Sequence, residues 1–292
     1  MDELTPLIAM ALVALGLGAS SYGVLIGSGG GFIVAPLLII LFGLDHNVAV
    51  GTSLFTVALA SLSGSVSYLR LRRVDIRSAL LFSMAAIPGA LLGIFGLKAV
   101  AEGPFELIFG AFLTLMGLYV LLQPENPRRE SVKAAQVEAG EGLPVPPPAH
   151  TFGATTRQIH TADMGTYRYS YNEPLAVATN GFFGFLSGFF GMGGGPIRTP
   201  TLVYLFHFPV LVATATSVFA QVIYTSVGTM GHLIDGNVDI TRALLIGAGV
   251  VVGAQIGVRL SRFFRGAWIL RLLSLALLGI GIQLILSGAG AV

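Results

Sequence analysis

The chain has 292 residues, of which 54% are hydrophobic and only 10% charged. A soluble domain carries about a quarter charged residues, so this composition excludes an ordinary soluble domain and indicates an integral membrane protein. The net charge of +2 gives no case for a nucleic-acid partner, because the basic residues lie mostly in short loops between apolar runs. The lack of cysteine excludes disulfides, thiolate metal sites and cysteine nucleophiles, and leaves the redox compartment open.

Met1-Asp2-Glu3 lacks the basic start of a signal peptide, so the first apolar run is expected to be a retained membrane segment. Thr5 to Ile26 is long enough to span, since about 20 apolar residues cross the hydrocarbon core. It stops at Gly27-Ser28-Gly29-Gly30-Gly31, a cassette closed by Pro36. Glycine admits backbone conformations that other residues avoid, and proline removes a donor, so the cassette predicts a broken helix. Phe32 to Phe42 is too short to span alone and fits a half-helix or re-entrant segment. After a polar cap at Asp45-His46-Asn47, Val48 to Leu69 is a full span. The next loop carries Arg70, Arg72, Arg73 and Arg77, with Asp75 placed to cap the following helix. Ser78 to Leu97, kinked at Pro88-Gly89, and Phe105 to Leu122 are further spans.

Residues 123–174 differ in kind. Pro124, Pro127, a Pro144-Val145-Pro146-Pro147-Pro148 run and mixed charges predict a solvated linker. Thr166 to Tyr171 alternates enough for a strand or a surface segment. From Leu175 the first half recurs. A shift of 164 residues pairs Gly27 with Gly191, Pro36 with Pro200, Thr52-Ser53 with Thr216-Ser217, and Val74-Asp75-Ile76 with Val238-Asp239-Ile240. About a third of the roughly 70 aligned positions are identical, so the chain carries an internal duplication. Its organisation is a first membrane repeat at 1–122, a linker at 123–174 and a second repeat at 175–292.

Loop charge orients the halves, because Lys and Arg stay on the cytoplasmic side. The arginine-rich Arg70–Arg77 loop reads as inside, while its counterpart Asp235–Arg242 reads as outside. The next pair reverses: Lys98–Glu106 is poor in basic residues, while the matching stretch carries Arg259, Arg262, Arg265 and Arg271. Equivalent loops on opposite sides predict an all-α polytopic membrane protein built as an inverted-topology tandem repeat with glycine-broken or re-entrant helices. Both termini are then outside and the linker inside, in a multi-pass protein of the cytoplasmic (inner) membrane.

Of the sixteen Lys and Arg, only Arg198 falls at membrane depth, inside the second cassette between Pro196 and Pro200. A charge there costs from about 2.5 to over 10 kcal/mol and usually faces a polar cavity on a substrate path. Snorkelling to an interface is the plainer alternative. The first-half equivalent is Val34, so the two cassettes are not functionally identical. The candidate substrate-binding residues are the backbone of Gly29, Gly30 and Gly31 and of Gly193, Gly194 and Gly195, the Arg198 charge, and the side chains of Thr52, Ser53, Thr216, Ser217 and Gln221. Hydroxyls at those positions could equally brace helices. Gln255 and Asn180 are further cavity-lining candidates, whereas His46, His207 and His232 share no metal-ligand spacing and are expected at interfaces. No clear intramembrane carboxylate is available to carry a proton. No catalytic constellation, metal site or cofactor is expected, and the glycine runs match neither the phosphate-loop nor the dinucleotide fingerprint.

The doubled Gly-x-Gly-Gly-Gly cassette with its proline and following Thr-Ser pair resembles the TauE/SafE family, also described as sulfite exporters or sulfonate permeases. The likeness covers nearly all of the chain except the linker, which is long for the family. It implies transport of small sulfur-containing anions such as sulfite, sulfonates or sulfoacetate across a bacterial or archaeal inner membrane. The expected function is secondary transport of such an oxyanion by alternating access. An intramembrane sensor or assembly factor acting through the linker, or an anion channel, are the alternatives. The implied partners are the small anion, a coupling proton or sodium ion if flux is coupled, and membrane lipid. Pairing as a homodimer is open.

Overall fold

The structure, a computed structural model, describes residues 5–122, 153–163, 165–261, 263 and 266–289. The first half holds α1 (Pro6–Ile26), α2 (Gly31–Phe42), α3 (His46–Arg70), α4 (Ile76–Lys98) and α5 (Glu102–Leu122). A hairpin of β1 (Ala154–Thr161) and β2 (Gly165–Asn172) follows. The second half holds α6 (Glu173–Phe190), α7 (Gly195–Tyr204), α8 (Val210–Ile234), α9 (Ile240–Leu260) and α10 (Gly266–Gly288). The 164-residue shift carries α3 onto α8 from end to end. Six described helices, α1, α3, α4, α5, α8 and α9, are long and apolar enough to cross a membrane. By contrast α2, with 12 residues, and α7, with 10, reach only about 18 and 15 Å at 1.5 Å per residue, roughly half of a hydrocarbon core. Leu7, Met10, Met84 and Leu122 are each at least 70% exposed, an outward apolar surface suited to lipid rather than water.

The helix breaks have local causes. Each of the first helices ends on a left-handed glycine, Gly27 (φ 86) or Gly191 (φ 69), and each half-helix starts from another, Gly30 (φ 95) or Gly194 (φ 69). Only glycine takes these conformations without cost. Asp45, Asp75 and Asp239 cap α3, α4 and α9 through side-chain bonds to the Asn47, Ser78 and Arg242 amides, as their positions predict.

The halves interlock by exchange. α1 packs along α9 and, reciprocally, α6 along α4. Small residues permit backbone contact: a Cβ on Gly89 would lie 2.0 Å from the Gly181 carbonyl oxygen, and one on its equivalent Gly253 2.3 Å from that of Leu17. At the centre α3 crosses α8 antiparallel. Gly51 meets His232, Leu54 meets Gly228, Ser61 bonds Gln221 and Gly64 meets Val218, a register in which one number rises as the other falls. The equivalent helices α3 and α8 therefore run in opposite senses where they cross. α5 and α10 pack together outside this core.

The hairpin occupies part of the stretch expected to be linker. It pairs antiparallel from Ala154 with Asn172 to Thr161 with Gly165, and the strand reading of Thr166–Tyr171 falls within β2. Its Tyr169 and Tyr171 are buried against Phe208, with ring centroids 4.4 and 4.9 Å away. The proline-rich portion of the predicted linker lies outside the described residues.

Candidate functional site

The two glycine cassettes meet at the pseudo-two-fold axis. A Cβ on Gly31 would lie 2.6 Å from the Gly191 carbonyl oxygen, and one on Gly195 2.4 Å from that of Gly27. Side chains at these positions would drive the half-helix starts apart. Residues 57 and 221, equivalent in the repeat, wedge between the cassettes: Val57 approaches Gly193, and the Gln221 amide oxygen approaches Gly29. Each half-helix presents first-turn amides that have no partner within their own helix and carry partial positive charge.

The Thr-Ser pairs act across the axis. Ser53 Oγ reaches the carbonyls of Gly31 (3.1 Å) and Gly191 (3.0 Å), and Ser217 Oγ donates to Gly27 (2.9 Å). Thr52 Oγ1 accepts from the amide of Asp239 at 3.0 Å, and Thr216 Oγ1 from that of Asp75 at 3.1 Å. Each pair thus braces a cassette carbonyl and a helix start of the opposite half. In this conformation the serine protons are directed at protein carbonyls. Gln221 joins them, with Nε2 donating to Gly27 O at 2.9 Å while Oε1 accepts from Ser61 Oγ at 3.0 Å.

Arg198 is fully buried in the first turn of α7 and does not snorkel. Its Nε donates to Asn180 Oδ1 at 2.6 Å and its Nη1 to Tyr224 Oη at 2.6 Å. Tyr224 Oη in turn donates to the carbonyl of Gly193 in the cassette. The guanidinium carbon lies 4.7 Å from the centre of the Tyr224 ring and 6.0 Å from that of Phe183, a favourable cation–π setting. Nη2 is buried with no hydrogen-bond partner. Among the described residues no carboxylate lies within ion-pair distance of Arg198. The hydroxyls of Thr199 and Thr214 are also buried and unpartnered, and both residues crowd Gly27.

The other polar candidates separate from this site. Gln255 clamps α9 to α3 through Ser63 and Ser67. His232, in the last turn of α8, is fully buried against Gly51 of α3. Tyr224, Thr199 and Ser61 were not singled out from the sequence, yet the repeat holds a signal for two of them. Asn180, Arg198, Thr199, Gln221 and Tyr224 are all polar where the first half has Gly16, Val34, Ala35, Val57 and Ala60. At these positions the duplication is apolar in the first half and polar in the second.

The site thus joins a buried arginine, with no carboxylate at ion-pair distance among the described residues, to two broken helices. The family profile "Sulfite exporter TauE/SafE" matches residues 12–284. The chain belongs to the TauE/SafE sulfite exporter family. The "Probable membrane transporter protein YunE" of Bacillus subtilis is 32% identical over 95% of this chain and 97% of its own length. A protein of Methanocaldococcus jannaschii that is also named a membrane transporter is 24% identical over 86% of this chain and 85% of its own. YfcA of Escherichia coli, named likewise, is 23% identical over 80% and 74%. No solved structure matches significantly. This TauE/SafE protein is thus a multi-pass membrane transporter.

Proposed function

We propose that the protein is a secondary transporter that moves a small sulfur-containing oxyanion, of sulfite, sulfonate or sulfoacetate type, across the cytoplasmic membrane by alternating access. One observation carries this reading: the buried Arg198 guanidinium has an unpartnered Nη2 and no carboxylate at ion-pair distance among the described residues. Burying a charge costs several kcal/mol unless an opposite charge meets it, and an anion supplies that charge. Planar guanidinium donors suit an oxyanion better than a halide. Amides at the starts of α2 and α7 add donors around a ligand at the cassettes.

The exchange of helices between the halves supports alternating access. Rocking one half against the other would break one set of Thr–Ser braces and remake it at the opposite end, with the anion held at the axis. Thr52, Ser53, Thr216 and Ser217 then exchange protein partners for the anion during the cycle. The loop charges favour the Arg70–Arg77 loop and the hairpin inside and both termini outside, which supports an inverted repeat in the membrane. Coupling falls to a proton on the substrate, to sodium held by cassette carbonyls, or to no ion at all.

Purified protein in proteoliposomes, assayed for radiolabelled sulfite uptake, tests the reading. Arg198→Ala is expected to abolish flux while the protein remains folded. Full flux in that variant refutes the assignment, and protease cleavage of the 123–174 segment from outside cells refutes the orientation.

A further inference from the structure

The two-fold exchange makes the ends of the molecule comparable residue by residue, and they differ in one large respect. At one end the start of α4 is covered by the β1–β2 hairpin. Asp75 is fully buried there and accepts from Arg157 Nε at 3.0 Å and Nη2 at 2.8 Å, from Tyr169 Oη at 2.8 Å and from Ser78 Oγ at 2.6 Å. Arg157 and Tyr169 are directly paired across the hairpin, so both side chains leave the same face and converge on one carboxylate. At the other end, the equivalent Asp239 is paired with Arg242 of its own helix. Arg242 is the repeat equivalent of Ser78. What α9 supplies from within, α4 receives from the hairpin.

The hairpin also straddles the two halves. Its turn residue Asp163 accepts from Arg73 Nε and Nη2 at 3.2 and 2.5 Å, and Arg73 reaches on to Ser261 in the second half. Ala162 N donates to Leu71 O at 2.9 Å. Tyr171 Oη lies 2.6 Å from Ser78 Oγ, while its ring packs on Phe208, between α7 and α8. The hairpin is therefore fastened at one end to α4 and to the α3–α4 loop of the first half. It is fastened equally to the α7–α8 connection of the second. Any separation of α4 from α8 at this end breaks some of these contacts.

We propose that the hairpin is the gate of the end bearing the arginine-rich loop, that the Asp75–Arg157 pair is its latch, and that this end opens only when the hairpin undocks. The proposal rests on the alternating-access reading for its purpose and on the hairpin contacts for its geometry. Because the far end has no hairpin among the described residues, docking biases the resting protein toward closure at the latched end.

The chain contains no cysteine, so single introduced thiols report access cleanly. Ala79, one turn into α4, and its equivalent Ala243 in α9 are both fully buried and mark the two ends. Ala79→Cys and Ala243→Cys are made separately in the full chain, and reaction with a membrane-impermeant maleimide is timed from each side of sealed vesicles. Asp75→Asn keeps a side chain that caps α4 but removes the charge that holds Arg157. Combined with Ala79→Cys, Asp75→Asn and Arg157→Ala are each expected to speed labelling of the α4 thiol from the inner side by on the order of tenfold. Combined with Ala243→Cys, they are expected to slow labelling of the α9 thiol. Arg157→Lys restores part of the protection, and Tyr169→Phe, which keeps the packing, gives an intermediate rate. An unchanged rate at the α4 thiol in both latch variants overturns the gate, as does an equal rise at both ends, which would mark general loosening. Labelling needs no substrate. If the α4 thiol opens on release while radiolabelled sulfite fails to cross, the gate stands and the substrate assignment falls.

Discussion

Arg198→Met separates a binding role from a structural one, because the two predict different stabilities. The wild-type guanidinium makes two hydrogen bonds at 2.6 Å, each contributing about 1.5–3 kcal/mol as a charge-assisted bond. Against them stand the desolvation of a fully buried charge, several kcal/mol per ion, and the unpartnered Nη2. The terms are of similar size, so a methionine of comparable length should change ligand-free stability by within about 2 kcal/mol of zero. This holds even though Asn180 Oδ1 loses its donor. Anion binding is a different matter. A ligand at a hundredfold its Kd stabilises the wild type by about 2.7 kcal/mol, and that increment should vanish in the variant. The assay is thermal unfolding of purified protein with and without saturating sulfite. A variant that keeps the anion-dependent shift refutes the role of Arg198. So does one that loses more than about 4 kcal/mol without ligand, since the arginine would then be a structural tie between α6 and α8.

Gly195→Ala places a methyl 2.3 Å from Ser28 Cα and 2.4 Å from Gly27 O, so it is expected to cost about 1–3 kcal/mol or more and to abolish flux. Unimpaired uptake at normal expression would overturn the back-to-back cassette geometry. Thr52→Val and Thr216→Val each strand one amide, that of Asp239 or Asp75, and should each destabilise by about 1–3 kcal/mol, near-equal by symmetry. Denaturation of the two variants side by side tests this. For pH, burial alone would raise the Asp75 pKa, but bonds from Arg157, Ser78 and Tyr169 outweigh it and hold the carboxyl below its ordinary value. A depressed folded-state pKa gives stability that is present above the unfolded value near 3.8 and lost as pH falls through the lower folded value. Hairpin docking, followed by maleimide protection of the thiol in Ala79→Cys, should therefore be flat from about pH 8 to 5 and fail only in stronger acid. Release near pH 6 would show that another group controls the latch.

Much of this architecture is legible in one dimension, and the reason is covalent or local. Composition sets the solvent. Glycine runs break helices because glycine takes the left-handed backbone at Gly27, Gly30, Gly191 and Gly194 without steric cost. Asp45, Asp75 and Asp239 cap helices because a short acceptor reaches an amide two or three residues on. The 164-residue repeat makes one half a template for the other, and a lone arginine between two prolines stands out by its cost alone. What the chain order does not carry is partnership across the axis. Thr52 and Ser53 read locally either as donors facing a cavity or as helix braces, and only the fold shows that they brace Asp239 and Gly191 of the other half. Asp75 reads as a helix cap and is also the anchor for Arg157, 82 residues away. Tyr224 looks like one more apolar-helix aromatic until the crossing of α7 and α8 sets its hydroxyl between Arg198 and the Gly193 carbonyl. Periodicity and spacing act over a few residues, whereas these bonds close loops of tens to nearly two hundred. Only the tertiary packing, the antiparallel crossing of α3 and α8, the approach of α7 to α8 and the docking of the hairpin on α4, decides which groups meet.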